Sequence, residues 1–316
     1  MNFQEKIPVF LAPMAGITDA PFRDLAGKFH ITASVSEMIS SEALIRSNKK
    51  TRSRLKNSNT SFKIIQIVGF DPQHMAESAT INESLGADAI DINMGCPVRK
   101  IVSNNSGAAL MKDEDLALKI VESIVKTVKI PVTIKMRLGW DNENINCFSL
   151  AKKFENAGIQ MITVHCRTRK QMYGGKANWS SIKDLRNIIK IPYLCNGDIK
   201  TCEDAALALK ESNATGVMIG RAAIGKPWLP GNIMNFLHGE ALFTPSTKEL
   251  FAIISEHFQH VLDFYGKERG IKIFRKHFCK YSANMSGASN FKNVINQAED
   301  LNFIKSYVKD FFESQF

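Results

Sequence analysis

The sequence predicts an α/β fold, a (β/α)8 TIM barrel followed by a C-terminal helical domain. Three observations carry that expectation. Apolar, β-branched runs alternate with amphipathic stretches eight times, at spacings of roughly 25–35 residues over about the first 220. No Gly-x-Gly-x-x-Gly follows a strand, so the fingerprint of a doubly wound dinucleotide fold is absent. After about residue 240 the strand signals stop, and only helical periodicity continues.

In chain order, Pro8–Ala12 is the first strand and Pro21–Phe29 the first helix. Ala33–Met38 is the second strand, followed by a polar helix through a basic cluster. Phe62–Val68 is the third, closed by Gly69 and the helix-starting Asp71-Pro72. The others are Ala89–Asn93, Pro131–Met136, Met161–His165, Ile191–Cys195 and Gly216–Ile219. Helical stretches near 72–86, 113–128, 145–157, 180–189 and 201–211 separate them. Phe243–Lys248 reads as a linker, and 248–316 as three or four helices. The boundaries are therefore 1–240 for a barrel domain and 241–316 for a helical one.

A chain of 316 residues buries a sizeable core. No apolar run approaches the roughly 18–20 residues needed to cross a bilayer. Met1–Lys6 has neither the basic start nor the apolar stretch of a signal peptide, so the expectation is a cytoplasmic protein without membrane association. Six cysteines are scattered without a Cys-x-x-Cys pair, which points away from a metal centre or a disulfide framework. Cys166 and Cys195 lie inside apolar runs and read as packing residues.

The net charge of +10 is clustered. Arg46 to Lys56 carries six cations and no acid, and Gly266 to Lys280 carries six against Glu268. Such clusters attract phosphate backbones by counterion release, although either one also fits a plain solvated surface.

The stretch Asp91-Ile-Asn-Met-Gly-Cys-Pro97 is where the chemistry concentrates. A buried strand runs into it, and Gly95 and Pro97 stop regular structure. Cys96 is thus presented on a turn at the ligand-binding edge of an α/β sheet, three residues after the Asn93 carboxamide. The plain alternative is that Cys96 is one more small buried hydrophobe. Other strand ends add polar groups: Gln66 on the third, Lys135 on the fifth, His165 on the sixth, Asn196-Gly197-Asp198 after the seventh and Gly220-Arg221 after the eighth. A lysine aimed into an apolar barrel needs an anion. Loops after the last two strands form the usual phosphate site of such barrels. Small residues in Ala12-Pro-Met-Ala-Gly16 let a planar ligand lie on backbone. A ligand with a phosphate at one end and a polar ring over Gln66, Lys135 and His165 describes FMN.

The sequence resembles the tRNA-dihydrouridine synthases, most of all their bacterial B-type branch, along nearly its whole length. The residues that carry the likeness are Leu11–Asp19 with Pro21-Phe-Arg23, Asp91–Pro97, Ser106–Met111, Thr133–Gly139, Val164–Arg169, Asn196–Asp198, Ile219–Arg221 and Arg275–His277. The resemblance implies an FMN enzyme that reduces the C5–C6 bond of uridines in tRNA, recharged by NADPH or NADH, with the tail as the tRNA-binding domain and no protein partner beyond the monomer. Carried over by position, Pro13, Met14 and Ala15 bound the flavin, with Gln66, Lys135 and His165 over its ring. Asn196, Gly197, Asp198, Gly220 and Arg221 hold its phosphate. Asn93 fixes the uracil, Cys96 is the proton donor, and no metal is needed. On the loop after the sixth strand, Arg167 or Arg169 meets uracil or phosphate. In the tail, Lys272, Arg275, Lys276 and Lys280 grip the tRNA backbone, while Ile271, Phe274, Phe278 and Tyr281 pack inward.

The physical chemistry agrees with those roles, because a thiol of ordinary pKa stays protonated at neutral pH. Two other readings share parts of the pattern. A flavin barrel acting on a free pyrimidine, like a dihydroorotate dehydrogenase, needs neither the basic clusters nor the tail. A non-catalytic RNA-binding barrel needs no flavin.

Overall fold

The computed structural model of the chain describes residues 7–46 and 62–315. The first basic cluster beyond Arg46, including Lys49, Lys50, Arg52, Arg54 and Lys56, lies outside the described residues, as does most of the helix expected there. The chain runs β1 (Val9–Leu11), α1 (Ala20–Gly27), β2 (Ala33–Val35), β3 (Ile39–Ser40), α2 (Ser41–Ile45), β4 (Lys63–Val68), α3 (Pro72–Ser84), β5 (Ala89–Met94) and α4 (Arg99–Val102). It continues through α5 (Glu114–Thr127), β6 (Val132–Arg137), α6 (Cys147–Asn156), β7 (Met161–His165), β8 (Tyr193–Asn196), α7 (Cys202–Ser212) and β9 (Gly216–Ile219). Helix α8 (Leu229–Leu237) completes the barrel, with Ile233 in its core, and the tail comprises α9 (Thr247–Tyr265), α10 (Lys267–Tyr281), α11 (Ala288–Gln297) and α12 (Leu301–Glu313).

All strand pairings are parallel, and the sheet closes on itself through β1 with β9 and β2 with β4. The eight-stave TIM barrel expected from the alternation is therefore present, with β2 and β3 sharing one stave against β4. The second strand, expected to run unbroken over 33–38, stops at Val35. Ser36 accounts for the break, because its Oγ accepts from the Gln66 backbone N at 3.0 Å in place of a regular ladder bond.

Two other elements add detail to the expected order. The helical stretch expected near 180–189 is present, and over 179–187 it takes the tighter 3-10 form. There Asn178, Ser180 and Ser181 offer side-chain oxygens that compete with helical bonds, and the Trp179 indole N–H is drawn onto the Gly197 carbonyl at 2.7 Å. Helix α8 has no counterpart among the expected elements, and it forms in spite of Pro230 and Gly231, both poor helix residues. Pro230 occupies the first helical turn, where no N–H is required.

Strand alternation sorts the side chains into layers. Ile90, Ile92 and Met94 face the helices, as do Ile134, Met136, Ile162 and Val164. Phe10, Ala89, Met161, Leu194 and Met218 fill the barrel interior as an apolar floor. A third cluster holds the tail together, with Phe258, Phe274, Phe278, Phe291 and Phe312, and it takes in Leu25 of α1. Ile271 and Tyr281 join it as expected. No helix among the described residues is long and apolar enough to cross a membrane.

Candidate active site

Above the apolar floor, the same alternation brings one polar layer to the C-terminal ends of the strands. Gln66, Asn93, Lys135, Arg137, His165 and Asn196 open onto a single cavity of about 830 Å³. That is the size of a cofactor pocket, for which about 300–1,000 Å³ is usual. Pro13, Met14, Ala15, Cys96, Asp198, Gly220 and Arg221 line it too. The sheet register explains the convergence, since Asn93 lies opposite Lys135, Arg137 opposite His165, and His165 opposite Asn196.

A chain of amides fixes the turn that carries the thiol. Thr133 Oγ1 donates to Asp91 at 2.6 Å and Gln66 Nε2 donates to it at 2.7 Å. Gln66 Oε1 then accepts from Asn93 Nδ2 at 2.8 Å. Asn93 Oδ1 in turn accepts from the backbone N of Gly95 at 3.1 Å and of Cys96 at 2.9 Å. Each bond sets the orientation of the next amide. The second N–H of Asn93 Nδ2 faces only the weak acceptor Met38 Sδ, at 3.7 Å. Below the turn, a Cβ on Gly107 would meet the Cys96 carbonyl oxygen at 2.9 Å, and its φ is +61°, so only glycine lets this segment seat the thiol. Burial pushes the Cys96 thiol up, against a smaller opposing pull from the Val98 backbone, Arg137 and Lys135.

The other side of the cavity is cationic. Lys135 Nζ donates to Asn196 Oδ1 at 3.0 Å, and Asn196 Nδ2 to the Met218 carbonyl at 2.8 Å. Burial, helped by Arg137, lowers the Lys135 ammonium to about 8. His165 is held neutral, far below its ordinary range, by burial first and then by Lys135, Arg137, Arg167 and Arg221. Arg167 reaches His165 Nε2 at 3.2 Å, so the neutral ring accepts there and carries its proton on Nδ1.

Arg137 and Tyr173 belong to the site although the sequence reading passed over them. Arg137 is fully buried and donates to the carbonyls of Gly95, Thr168 and Met172, each at 2.8 Å. Burial lowers it to about 10. It therefore ties the Cys96 turn to the loop after β7. Period-two alternation from Lys135 was the signal that could have found it. Tyr173, half exposed on that loop, lies 5.6 Å from the Arg137 guanidinium and 5.0 Å from that of Arg221.

Several expected contacts take another form. Asp198 does not face an anion with its carboxylate. It accepts from Arg167, from Arg221 at 3.2 Å and from the Ala177 backbone N at 2.9 Å, organising the cations around the cavity's end. Gly197 permits this approach: its φ is +120°, and a Cβ would meet Ala177 Cβ and His165 Cδ2, both at 2.8 Å. Arg167 lines the cavity, but it is buried and ties down the Gly174 and Gly175 carbonyls at 3.0 and 2.7 Å. Arg169 lies outside the cavity, its guanidinium 4.6 Å from the Trp140 ring centre. In the tail, Arg275 donates to the Ala298 carbonyl at 2.8 Å, and Lys276 donates to the carbonyl of Gly16 in the loop after β1. Lys272 and Lys280 remain exposed. Cys166 and Cys195 are buried, their sulfurs 3.6 Å apart.

Residues 10–315 match the family model described as dihydrouridine synthase. A protein of Rickettsia bellii named "Probable tRNA-dihydrouridine synthase" is 43% identical over 99% of this chain and 97% of its own. The "tRNA-dihydrouridine synthase B" of Pseudomonas aeruginosa is 40% identical over 96% of this chain and 92% of its own. Among solved structures, histamine dehydrogenase from Rhizobium sp. 4-9 overlays with a TM-score of 0.55 at 13% identity, covering 79% of this chain and 48% of that one. The old yellow enzyme homologue from Zymomonas mobilis overlays with a TM-score of 0.52 at 15% identity, covering 77% and 91%. At that identity the two overlays speak to the barrel fold alone.

Proposed function

The chain belongs to the dihydrouridine synthase family, and from that premise we propose that it reduces uridines in tRNA to 5,6-dihydrouridine with FMN, recharged by NADPH. The observation that carries the reading is the placement of the Cys96 thiol, which burial pushes toward its protonated form, on a hydrogen-bonded turn over the same cavity as the half-buried ammonium of Lys135.

The residues present fit a flavin mononucleotide. Lys135 has the neutral Asn196 Oδ1 as its hydrogen-bond partner, and the Asp91 carboxylate, tied to Thr133 and Gln66, offsets only part of its charge, so the cation suits a negatively charged ligand. Pro13, Met14 and Ala15 would bound the ring, with Lys135 and neutral His165 at its polar edge. Gln66 is engaged by Asp91 and Asn93, so it would act by holding Asn93. Backbone at Gly197 and Gly220, with Arg221, Lys176 and Lys200, would take the phosphate. When bound, FMN supplies the hydride that adds to uracil C6.

The side chains supply the rest. Negative charge that develops over C5, C4 and O4 of the uracil is quenched at C5 by the Cys96 proton. The resulting thiolate faces Arg137 and Lys135, which favour it until it is reprotonated. The Asn93 N–H that meets only the weak acceptor Met38 Sδ can donate instead to a uracil carbonyl. To reach these groups the uridine must leave its stack.

The test is to incubate FMN-loaded protein with NADPH and unmodified tRNA, and to map modified uridines by mass spectrometry. Gain of two hydrogens at defined uridines is the expected result. Turnover of free uracil or dihydroorotate with none on tRNA would overturn the reading in favour of a free-pyrimidine enzyme.

A further inference from the structure

Outside the cavity, on the same end of the barrel, an aromatic side chain gathers two cations. Trp140 lies in the loop after β6, and Arg169 and Lys170 in the loop after β7. The two loops are stitched together by Arg169 N to the Gly139 carbonyl at 2.9 Å and Lys170 N to the Trp140 carbonyl at 2.8 Å. The Lys112 ammonium, at the end of the segment that seats Cys96, is 4.8 Å from the Trp140 ring centre, and the Arg169 guanidinium is 4.6 Å from it. Both cations thus lie at cation–π distance from one half-buried indole.

Acids lie close to this group, and several are engaged elsewhere: Asp113 caps α5 by accepting the Leu116 N–H at 3.0 Å, Asp115 acts on Lys153, and Glu143 follows in the Trp140 loop. Glu114 is engaged by Lys153 at 2.8 Å. Asp141 is occupied by Asn144 at 2.7 Å and offsets part of Lys170. Among the described residues no carboxylate forms an ion pair with Lys112 or Arg169. The group is also joined to the cavity. Four residues after Arg169 comes Tyr173, and the Met172 carbonyl between them is held by Arg137 at 2.8 Å.

We propose that Trp140, Lys112 and Arg169 form an RNA-phosphate contact on the barrel rim, which receives the backbone flanking the uridine that enters the cavity. The proposal rests on the tRNA reading and deepens it. Indole stacking holds two long side chains at fixed places, so they lose less freedom on meeting an anion than surface lysines do. The cations then position the strand without reading its sequence.

The experiment measures tRNA affinity by fluorescence anisotropy across a salt series, for wild type, Lys112→Gln, Arg169→Gln and Trp140→Leu. Each single charge removal is expected to weaken binding and to reduce the salt slope by about 1. Trp140→Leu should weaken binding with both cations present, and Trp140→Phe should restore much of it. Lys112→Gln and Arg169→Gln alter exposed or rim side chains, so they decide the matter even if Trp140→Leu fails to fold. Wild-type salt slopes in both charge variants, with wild type active on tRNA, overturn this inference alone. A wild type that neither binds nor reduces tRNA overturns the functional reading beneath it.

Discussion

The carboxamide oxygen of Asn93 accepts the backbone N–H of Cys96 at 2.9 Å, so the residue expected to hold substrate also builds the turn that presents the thiol. Asn93→Ala would strip both Gly95 and Cys96 of their acceptor in a largely buried setting. Leaving buried donors unpaired costs about 1–3 kcal/mol. The variant is expected to lose stability of that order in urea titrations and to lose turnover beyond any loss in tRNA binding. A wild-type melt with turnover alone impaired would assign Asn93 to the uracil only.

Cys96→Ala should leave the turn intact, since the amide chain reaches its backbone rather than its sulfur. Removing a general acid typically costs about 10²–10⁴ in rate. We expect flavin content and tRNA affinity near wild type, with dihydrouridine formation reduced about 100-fold or more in single-turnover assays. Loss of bound flavin would make Cys96 a packing residue instead.

Lys135 predicts a pH effect whose sign is fixed. Its ammonium sits at about 8 in the fold and near 10.4 in an unfolded chain. The unfolded state therefore binds more protons between those values, and the flavin-free protein gains stability as pH rises through that window. Lys135→Met removes the buried charge, so it should be more stable than wild type at pH 7, and the gap should close by about pH 10. Flavin affinity should fall in the same variant. Denaturant midpoints across pH, with and without FMN, check this; a pH-independent gap would count against a desolvated ammonium at that place.

The barrel and the polar layer were readable because period-two alternation is a local property. Once β6 is a strand, Lys135 points inward whatever its neighbours do. Arg137 follows from the same rule, but it was missed because an arginine beside a strand end also reads as surface charge. Partners are the part that local sequence hides. Arg167 and Lys276 each carry a charge that suits a phosphate, yet each is engaged by a group far along the chain, the Asp198 carboxylate and the Gly16 carbonyl, while Asp198 is itself turned to Arg167 and Arg221. Tyr173 escaped notice for a related reason, because its place depends on how Arg137 ties down the loop that bears it.

The Lys276 contact changes what its substitution should do. Its ammonium joins α10 to the loop that carries Pro13, Met14 and Ala15, and Gly16 N also donates to the Glu37 carboxylate. Lys276→Gln is expected to lower stability by about 1 kcal/mol, in line with a partly exposed charged hydrogen bond, and to speed flavin loss. Lys272→Gln, exposed on the same helix, should weaken tRNA binding with neither effect. Thermal melts and flavin release rates separate the two; identical behaviour would return Lys276 to the RNA surface.

The histidine of the Arg275-Lys-His277 motif sets the acid limit of the tail. His277 and His257 are fully buried between α1, α9 and α10, with ring centres 4.7 Å apart, and His277 stacks on Phe22 at 5.8 Å. His257 Nδ1 meets the Tyr281 hydroxyl at 3.1 Å, and both nitrogens of His277 lack a partner among the described residues. Burial, with Lys276 adding to it, lowers His277 to about 3, and His257 moves the same way through burial and the charges of His277, His260 and Lys276. Unfolded histidine titrates near 6.5, so stability is lost as pH falls below that value, by about 2 kcal/mol for His277 alone at pH 5. Replacing His277 by Phe keeps the stack on Phe22 and removes the titration. That variant is expected to hold its midpoint between pH 7 and pH 5 better than wild type in urea titrations followed by tryptophan fluorescence. Equal acid sensitivity in the two proteins would mean that His277 is already reached by water in the folded tail.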